Sequence, residues 1–416
     1  MSKPNASPQT TRFQEKREAI LGAAATLFNE RGVKGATLAD IAGSVGLVTN
    51  SVTYYYRKKE DLATACFLRA IEIYDGFATD AASEKTITGR LHALFRRHAE
   101  LLASIDCNAQ PPIVVFNDLR ALPSPQLDVV FAAYTDMFRH VRALLKGPET
   151  AGLTRDELNA RAHIVLSVIN WMRSWMGRYE TDEYGRIADR IVDILIHGLA
   201  GPKSKWSTAD AEQRWQLNPG ASGSEGGDTA GAFLRAATFL VNEQGYRGAS
   251  VDRISARLNV TKGSFYHHND NKEDLISACF ERTFAVVRQA LSLAESGTGS
   301  GWDRACAAAR ALVHYQLSDE GPLLRSSATS ALPDQAHRES VRNTMARLTE
   351  RMTCVVVDGL MDGSIRPLDP AIAALIAIGA INAAAELKRW VPGASAANGS
   401  ELFVRPIFVG LLCDAT

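Results

Sequence analysis

The run Asn29-Glu30-Arg31-Gly32-Val33-Lys34-Gly35-Ala36-Thr37 returns as Asn242-Glu243-Gln244-Gly245-Tyr246-Arg247-Gly248-Ala249-Ser250, 213 residues later. The same offset carries Ile41 onto Ile254, Ser51 onto Ser264 and Lys59-Glu60-Asp61-Leu62 onto Lys272-Glu273-Asp274-Leu275. It continues through Ala65-Cys66-Phe67 and Ala278-Cys279-Phe280 without a gap. Further on, Ala121-Leu122-Pro123 recurs as Ala331-Leu332-Pro333 at an offset of 210, after Pro112 and Pro322. Near the ends, Gly198-Leu199 answers Gly410-Leu411 at 212. Ordered matches at a near-constant offset mark a duplication. The 416 residues therefore read as two homologous units, each of about 190–200 residues.

Around these runs the apolar spacing is helical. Phe13, Ile20, Leu21, Ala24, Leu27 and Phe28 share one helix face, as do Phe233, Leu234, Ala237, Leu240 and Val241. Gly32 and Gly245 suit left-handed helix ends. Thr37 and Ser250 suit N-caps of a short second helix, with Asp40 placed for a capping box. Gly46 marks the next turn, and Asn259 stands at its place in unit two, where Asn tolerates the left-handed region. A third helix follows from about Thr49 or Thr261. The acids after Lys59 and Lys272 open a long fourth helix; Asn271 is a good cap for it and Lys58 is not. No sustained two-residue alternation occurs, so an all-α fold without sheet is predicted. Two short helices joined by a tight turn fit a helix-turn-helix; spacing alone leaves open a helical bundle that never touches DNA.

Composition narrows the function classes. Lys and Arg total 46 and Asp and Glu 46, so net charge is zero and DNA binding must be argued from local motifs. Hydrophobic residues at 46% and charged residues at 22% describe a globular chain. The six cysteines (66, 107, 279, 306, 354, 413) form no CxxC pair and read as buried small hydrophobes. No metal or cofactor is expected. Residues 1–11 are polar and read as a disordered tail. The run from Ala371 to Ala385 is shorter than the ~20 residues of a membrane span, so a buried helix and a cytoplasmic protein are expected. Residues 201–227 have linker composition in their second half, with Trp206 and Trp215 placed to pin the first half onto a domain.

Across Ala23–Leu62 and Ala236–Leu275 the sequence resembles the TetR (tetracycline repressor-like) family of bacterial transcriptional regulators. The resemblance rests on Gly32-x-x-Gly35-Ala36-Thr37, Val45-Gly46-Leu47 and Tyr54-Tyr55-Tyr56-Arg57-Lys58-Lys59-Glu60-Asp61-Leu62. In unit two it rests on Val260-Thr261-Lys262-Gly263-Ser264-Phe265-Tyr266-His267-His268. It implies two tandem units, each a three-helix DNA-binding domain followed by a regulatory and dimerisation bundle. The boundaries expected are 12–60, 61–200, 228–273 and 274–416. Such proteins pair through their last two helices, so an intramolecular pseudo-dimer is implied. Its contact would be built from roughly 155–178, 185–200, 370–390 and 399–413, with further dimerisation of the chain left open. Gly379 and the alanines of the run 371–381 would allow close helix approach, and a helix apolar on all sides must be buried; burial within unit two alone is the alternative.

By the same resemblance, Thr37 and Ser250 would meet phosphate. Thr49, Asn50 and Ser51 would head one recognition helix, and Thr261, Lys262, Gly263 and Ser264 the other. Asn suits adenine, and Lys suits guanine or phosphate. Thr53, Tyr54, Tyr55, Tyr266, His267 and His268 fall at backbone-contact positions. Tyr56 reads as core, and Lys59 and Lys272 as phosphate clamps. Unit two departs from the family at Asn269 and Asp270, and unit one at Thr53. The partners implied are double-stranded operator DNA, read as an asymmetric site by unlike heads, and an unknown small-molecule effector. A pocket for that effector is sought at Phe95, His98, Phe116, Tyr134, Phe138, Trp171 and Trp175. For the tryptophan stripe, plain core or dimer interface is the more common alternative to a pocket. No GxSxG, HExxH, P-loop or dinucleotide-binding fingerprint appears, so an enzyme is not expected. The rival reading is a TetR-fold binding or interaction protein that has lost DNA affinity in one or both heads.

Overall fold

The computed structural model describes residues 8–207, 217, 227–268, 271–332 and 334–412. Unit one consists of α1 (Pro8–Arg31), α2 (Leu38–Ser44), α3 (Thr49–Tyr55), α4 (Lys59–Ala81), α5 (Ile87–Asp106), α6 (Ser124–Leu144), α7 (Arg155–Met172) and α8 (Tyr184–His197). Unit two repeats the order as α9 (Gly227–Gly248), α10 (Val251–Arg257), α11 (Lys262–His268), α12 (Lys272–Glu295), α13 (Gly301–Leu317), α14 (Gln335–Met361) and α15 (Pro370–Ala383), then short α16 (Leu387–Trp390) and α17 (Arg405–Phe408). A 3-10 segment precedes the third bundle helix in each unit, Phe116–Ala121 and Ser326–Ala331. Among the described residues the one strand-like feature is an isolated bridge, Ala200 to Ile365.

The duplication is visible in individual bonds. Asn29 donates its amide to the Ile113 carbonyl and accepts from the Val115 N–H, both at 2.9 Å. Asn242 does the same with Leu323 (2.9 Å) and Arg325 (3.1 Å). Cys66 reaches the Leu21 carbonyl and Cys279 the Leu234 carbonyl, 45 residues back in each case. These two thiols and Cys306 are buried as expected. Cys107 and Cys354 are exposed, a correction, and Cys413 lies outside the described residues.

The units meet along α7, α8, α15 and α17. α15 is buried nearly all round, and it packs on α14 of its own unit and on α7 and α8 of the other. Burying Ile372, Leu375, Ile376 and Ile381 contributes about 1.5–3 kcal/mol each. Gly379 lets the Trp171 indole lie against the α15 backbone, since a Cβ there would fall 2.6 Å from Trp171 Cδ1. His163 Nε2 bonds the Ala383 carbonyl at 2.9 Å, and Asn159 donates to the Trp390 carbonyl at 2.8 Å. The helical run Pro370–Trp390 spans 21 residues and is apolar enough to cross a membrane by composition. A 3-10 turn at Ala384–Glu386 interrupts it, and its apolar side chains are spent on the two units.

The repeated Gly-Leu pairs form a crossing. Leu199 N donates to the Phe408 carbonyl (2.7 Å) and Leu411 N to the Leu195 carbonyl (2.8 Å). Gly198 and Gly410 have φ of +63° and +116°, and a Cβ on either would sit 2.3 Å from a carbonyl oxygen of the crossing segment of the other unit.

Several boundaries differ from expectation. Helix α1 already starts at Pro8, within the expected tail, because Pro fits a helix start; residues 1–7 lie outside the described residues. The linker expected to begin at 201 is docked as far as 207: Gly201 N bonds the Ser364 carbonyl at 2.9 Å, and Trp206 Nε1 bonds Glu401 at 2.7 Å under the Arg310 guanidinium. Trp206 thus pins this segment, and Trp215 lies outside the described residues. The helix expected over 399–413 is a π turn (Ser400–Val404) followed by one short turn, α17. Pro406 has no N–H to continue the ladder.

Candidate nucleic-acid interface and effector site

In head one, Thr37 caps α2 in a full capping box with Asp40, whose backbone N–H donates to the Thr37 hydroxyl at 3.1 Å. The Thr37 hydroxyl and N–H both donate to the Asp40 carboxylate, at 2.7 and 3.0 Å. Those hydrogen bonds hold the carboxyl below the usual carboxylate range. The hydroxyl expected to meet phosphate is therefore already engaged, and a charged acid lies beside it. Ser250 caps α10 by accepting from Arg253 N at 3.3 Å.

The helix-turn-helix bend is the same in both heads. Leu47 N reaches the Ala42 carbonyl at 2.9 Å, and Val260 N reaches the Ser255 carbonyl at 3.0 Å. The turn residues Gly46 and Asn259 both sit in the left-handed region, as expected, at φ of +64° and +55°. This bend presents Thr49 and Asn50 exposed at the start of α3, with Ser51 and Thr53 half-buried behind them. Tyr54 is 77% exposed and Tyr55 half-buried; their rings close a cluster with Phe13 at 6.5 and 4.7 Å. Tyr56 is core, as expected.

In head two, Thr261, Lys262, Gly263 and Tyr266 are exposed and Ser264 is half-buried. Lys262 Nζ pairs with Asp252 at 2.6 Å. The side chains of His267 and His268, and all of Asn269 and Asp270, lie outside the described residues. The heads adjoin, since a Cβ on Gly248 would lie 3.4 Å from Lys34 Nζ.

Lys59 and Lys272 are placed differently from expectation. Lys59 Nζ donates to the carbonyls of Ala36 (3.0 Å) and Lys34 (3.4 Å). Lys272 Nζ donates to the Tyr246 carbonyl and covers the Tyr246 ring at 3.8 Å. Both fasten the fourth helix of their head to the loop after its first helix. Helical spacing placed them at a helix start; the loop carbonyls come within reach only in the folded head.

The pocket candidates divide in two. Tyr74, His98, Phe116 and Tyr134 form a chain of ring contacts at 5.1–5.6 Å between α4, α5, α6 and the 3-10 segment. Phe95 is wholly buried on α5. Phe138 stacks on Trp390 of unit two at 3.8 Å and 7°. Trp390 has no counterpart in the sequence reading, because nothing local shows that α16 of one unit caps the bundle of the other. Trp171 lies instead against Gly379 at the contact between units, and Trp175 packs edge-on to Tyr179 at 6.2 Å.

Within the ring cluster His98 is fully buried, and neither ring nitrogen has a hydrogen-bond partner of ordinary geometry. Burial pushes its imidazole down to about 3, against a smaller opposing pull from the Ile169 carbonyl, so it is neutral near pH 7. A neutral imidazole offers one donor and one acceptor to an apolar ligand bearing a hydroxyl or amide. Matching the helix caps Thr86 and Ser300 puts Leu312 at the place of His98 in unit two. The 210-residue offset puts Ser326 at the place of Phe116. The buried Gln316 nearby is fully engaged, donating to the Ile381 carbonyl and accepting from Leu323 N at 2.8 Å. Among the described residues no His, Cys, Asp and Glu group fits a metal.

Comparison with known proteins agrees with the duplicated heads. The family model for bacterial regulatory proteins of the tetR family matches residues 20–66 and again 233–279. The Transposon Tn10 TetC protein of Escherichia coli is 37% identical over 71 residues, 17% of this chain and 36% of that protein. This chain thus covers about a third of that relative's length. The HTH-type transcriptional repressor KstR2 of Rhodococcus jostii (strain RHA1) is 28% identical over 226 residues, 48% of this chain and 98% of the repressor. A solved TetR-family transcriptional regulator from Bordetella parapertussis aligns with a TM-score of 0.38 at 19% identity, covering 44% of this chain and 94% of that one. The two matches, 213 residues apart, support two tandem TetR units in this chain.

Proposed function

We propose that this protein is a sequence-specific DNA-binding transcriptional repressor of the cytoplasm, a covalent pseudo-dimer whose unlike heads read an asymmetric operator. The observation that carries this reading is the pair of exposed recognition-helix starts, Thr49-Asn50 and Thr261-Lys262-Gly263, set on one and the same turn geometry. KstR2 is named a repressor, which supports the direction of control. Asn50 would read adenine, and Lys262 guanine or phosphate, each base contact contributing about 1–3 kcal/mol of discrimination. Lys262 must first leave Asp252, an exposed pair that contributes less than about 1 kcal/mol. Tyr54, Tyr55, Tyr266 and Ser250 would line the backbone, with Lys59 and Lys272 holding the heads in shape. Control by a small apolar effector is part of the same proposal, with its site in unit one around His98.

The test is selection of bound duplexes from a randomised DNA pool by the full chain, followed by footprinting. The expected consensus is asymmetric, with Asn50→Ala relaxing one half and Lys262→Ala the other. A palindromic site weakened equally by both substitutions would sink the asymmetric reading. No enrichment of any duplex would favour a binding protein that keeps the fold without DNA affinity.

A further inference from the structure

Each head's first helix packs against the other unit. α9 lies on the unit-one segment Phe116–Ala121 as well as on its own Ser326–Ala331, and α1 touches Ser326–Ala331 of unit two. One of these crossings carries charge. Arg120, 17% exposed, ion-pairs with Glu243 of α9 and reaches Glu386 at 3.4 Å. Glu386 is also paired with Arg325 at 2.5 Å. Glu243 stands two residues before Gly245, where the helix breaks towards α10. The reciprocal pair cannot exist: Glu30 occupies the matching place in unit one, but Ser330 stands where Arg120 would be.

The segment that carries Arg120 also carries Phe116. Its ring packs on Tyr74 (5.6 Å) and Tyr134 (5.1 Å), beside His98. In a 3-10 turn four residues advance about 8 Å, so Phe116 cannot shift without moving Arg120. A second arm reaches Arg120 from the same cluster. Trp390 stacks on Phe138 and follows Glu386, the other partner of Arg120, by one helical turn. Two short connections thus run from the aromatic cluster of unit one to Arg120, and the Arg120–Glu243 pair carries both to the base of head two.

We propose that the aromatic cluster of unit one governs head two, in trans, with Arg120 as the residue that positions α9. The inference rests on the reading of α10 and α11 as a DNA head only for its consequence: loss or gain of effector would alter one half of the operator. The coupling itself is independent of DNA. Head one, lacking an arginine opposite Glu30, is not under this control.

Amide hydrogen exchange of the full chain, without DNA or effector, tests the coupling on Phe116→Leu, Arg120→Met, Glu243→Gln and the Arg120→Met/Glu243→Gln double variant. Exchange over residues 251–268 is expected to rise about threefold to tenfold in each single variant, the scale of a local opening. Residues 38–55 should stay at the wild-type rate, and the double variant should exceed neither single, as for partners in one interaction. Equal acceleration of both heads, an unmoved 251–268 in Phe116→Leu, or additive effects of Arg120→Met and Glu243→Gln would each overturn the proposal. If Arg120→Met lowers the melting of the whole chain, Glu243→Gln decides instead, because it leaves the bond from Arg120 to Glu386 in place. Coupling seen in a chain that selects no DNA would refute the repressor reading alone.

Discussion

At the scale of single residues, His98 shows how burial sets chemistry. The unfolded chain takes up a proton at this imidazole near 6.5, whereas the folded chain does so only at about 3. The stability that comes from keeping His98 neutral is fully present above pH 6.5 and is lost as pH falls from there towards 3. Each pH unit in that window costs the fold up to about 1.4 kcal/mol from this one group. His98→Phe should therefore flatten the decline of the unfolding free energy between pH 6.5 and 4, as measured by urea titration. Parallel curves for wild type and variant would show that the imidazole is not held neutral by burial. Glu386 has the same direction from a different cause. Burial alone would raise it, but Arg325 and Arg120 bring it down to about 2, so its contribution is present above about 4.5 and lost towards 2. In Glu386→Gln the stability slope in that lower window should be reduced, with the slope between 4.5 and 6.5 unchanged.

At the scale of elements, local rules account for the heads. Thr37, Gly46, Asn259 and Asn271 act as their types and places foretell: caps at Thr37 and Asn271, left-handed turns at Gly46 and Asn259. A three-helix head is built from contacts close in sequence, so caps and periodicity suffice to place it. The bundles are different. Trp171 and Trp175 read alike in the sequence, yet one lies on Gly379 and the other on Tyr179, while Trp390, which carries no local signal, stacks on a ring more than 250 positions away in the chain. The Gly198–Gly410 crossing is the element-level feature most open to test. Gly198→Ala would add a Cβ 2.3 Å from the Phe408 carbonyl at φ +63°, and should destabilise by about 2 kcal/mol or more. Gly185→Ala, in the same α8 with open space around it, should stabilise by up to about 1 kcal/mol. Equal melting of the two variants would show that the crossing bears no strain.

At the scale of the whole molecule, two units sharing α7, α8, α15 and α17 should hold together without their covalent tie. A protease site placed within 218–226 allows the tie to be cut after folding. The halves are expected to stay together through gel filtration at micromolar concentration, because separation would expose to water the apolar side of α15 that packs on α7 and α8. Separation on cutting would mean that the tether, by raising the effective concentration of one unit about the other, is what holds the pair. Zero net charge fits this scale too. Exposed lysines and arginines of the heads are balanced by acids elsewhere, so non-specific DNA affinity is expected to be modest.

The duplication, the all-helical class, the two helix-turn-helix heads and the burial of the apolar run at 371–381 are all legible in the residues alone. Each follows from periodicity, capping or self-similarity, which act over a few residues or between two copies of one pattern. That Lys59 and Lys272 turn onto loop carbonyls emerges only once the chain is folded. The same holds for Trp390, which closes the bundle of the opposite unit, and for Arg120, which ties unit one to head two but has no mirror image. Those are contacts between residues far apart in the chain. Their partners are chosen by packing and by where desolvated charges can pair, and no local pattern encodes that choice.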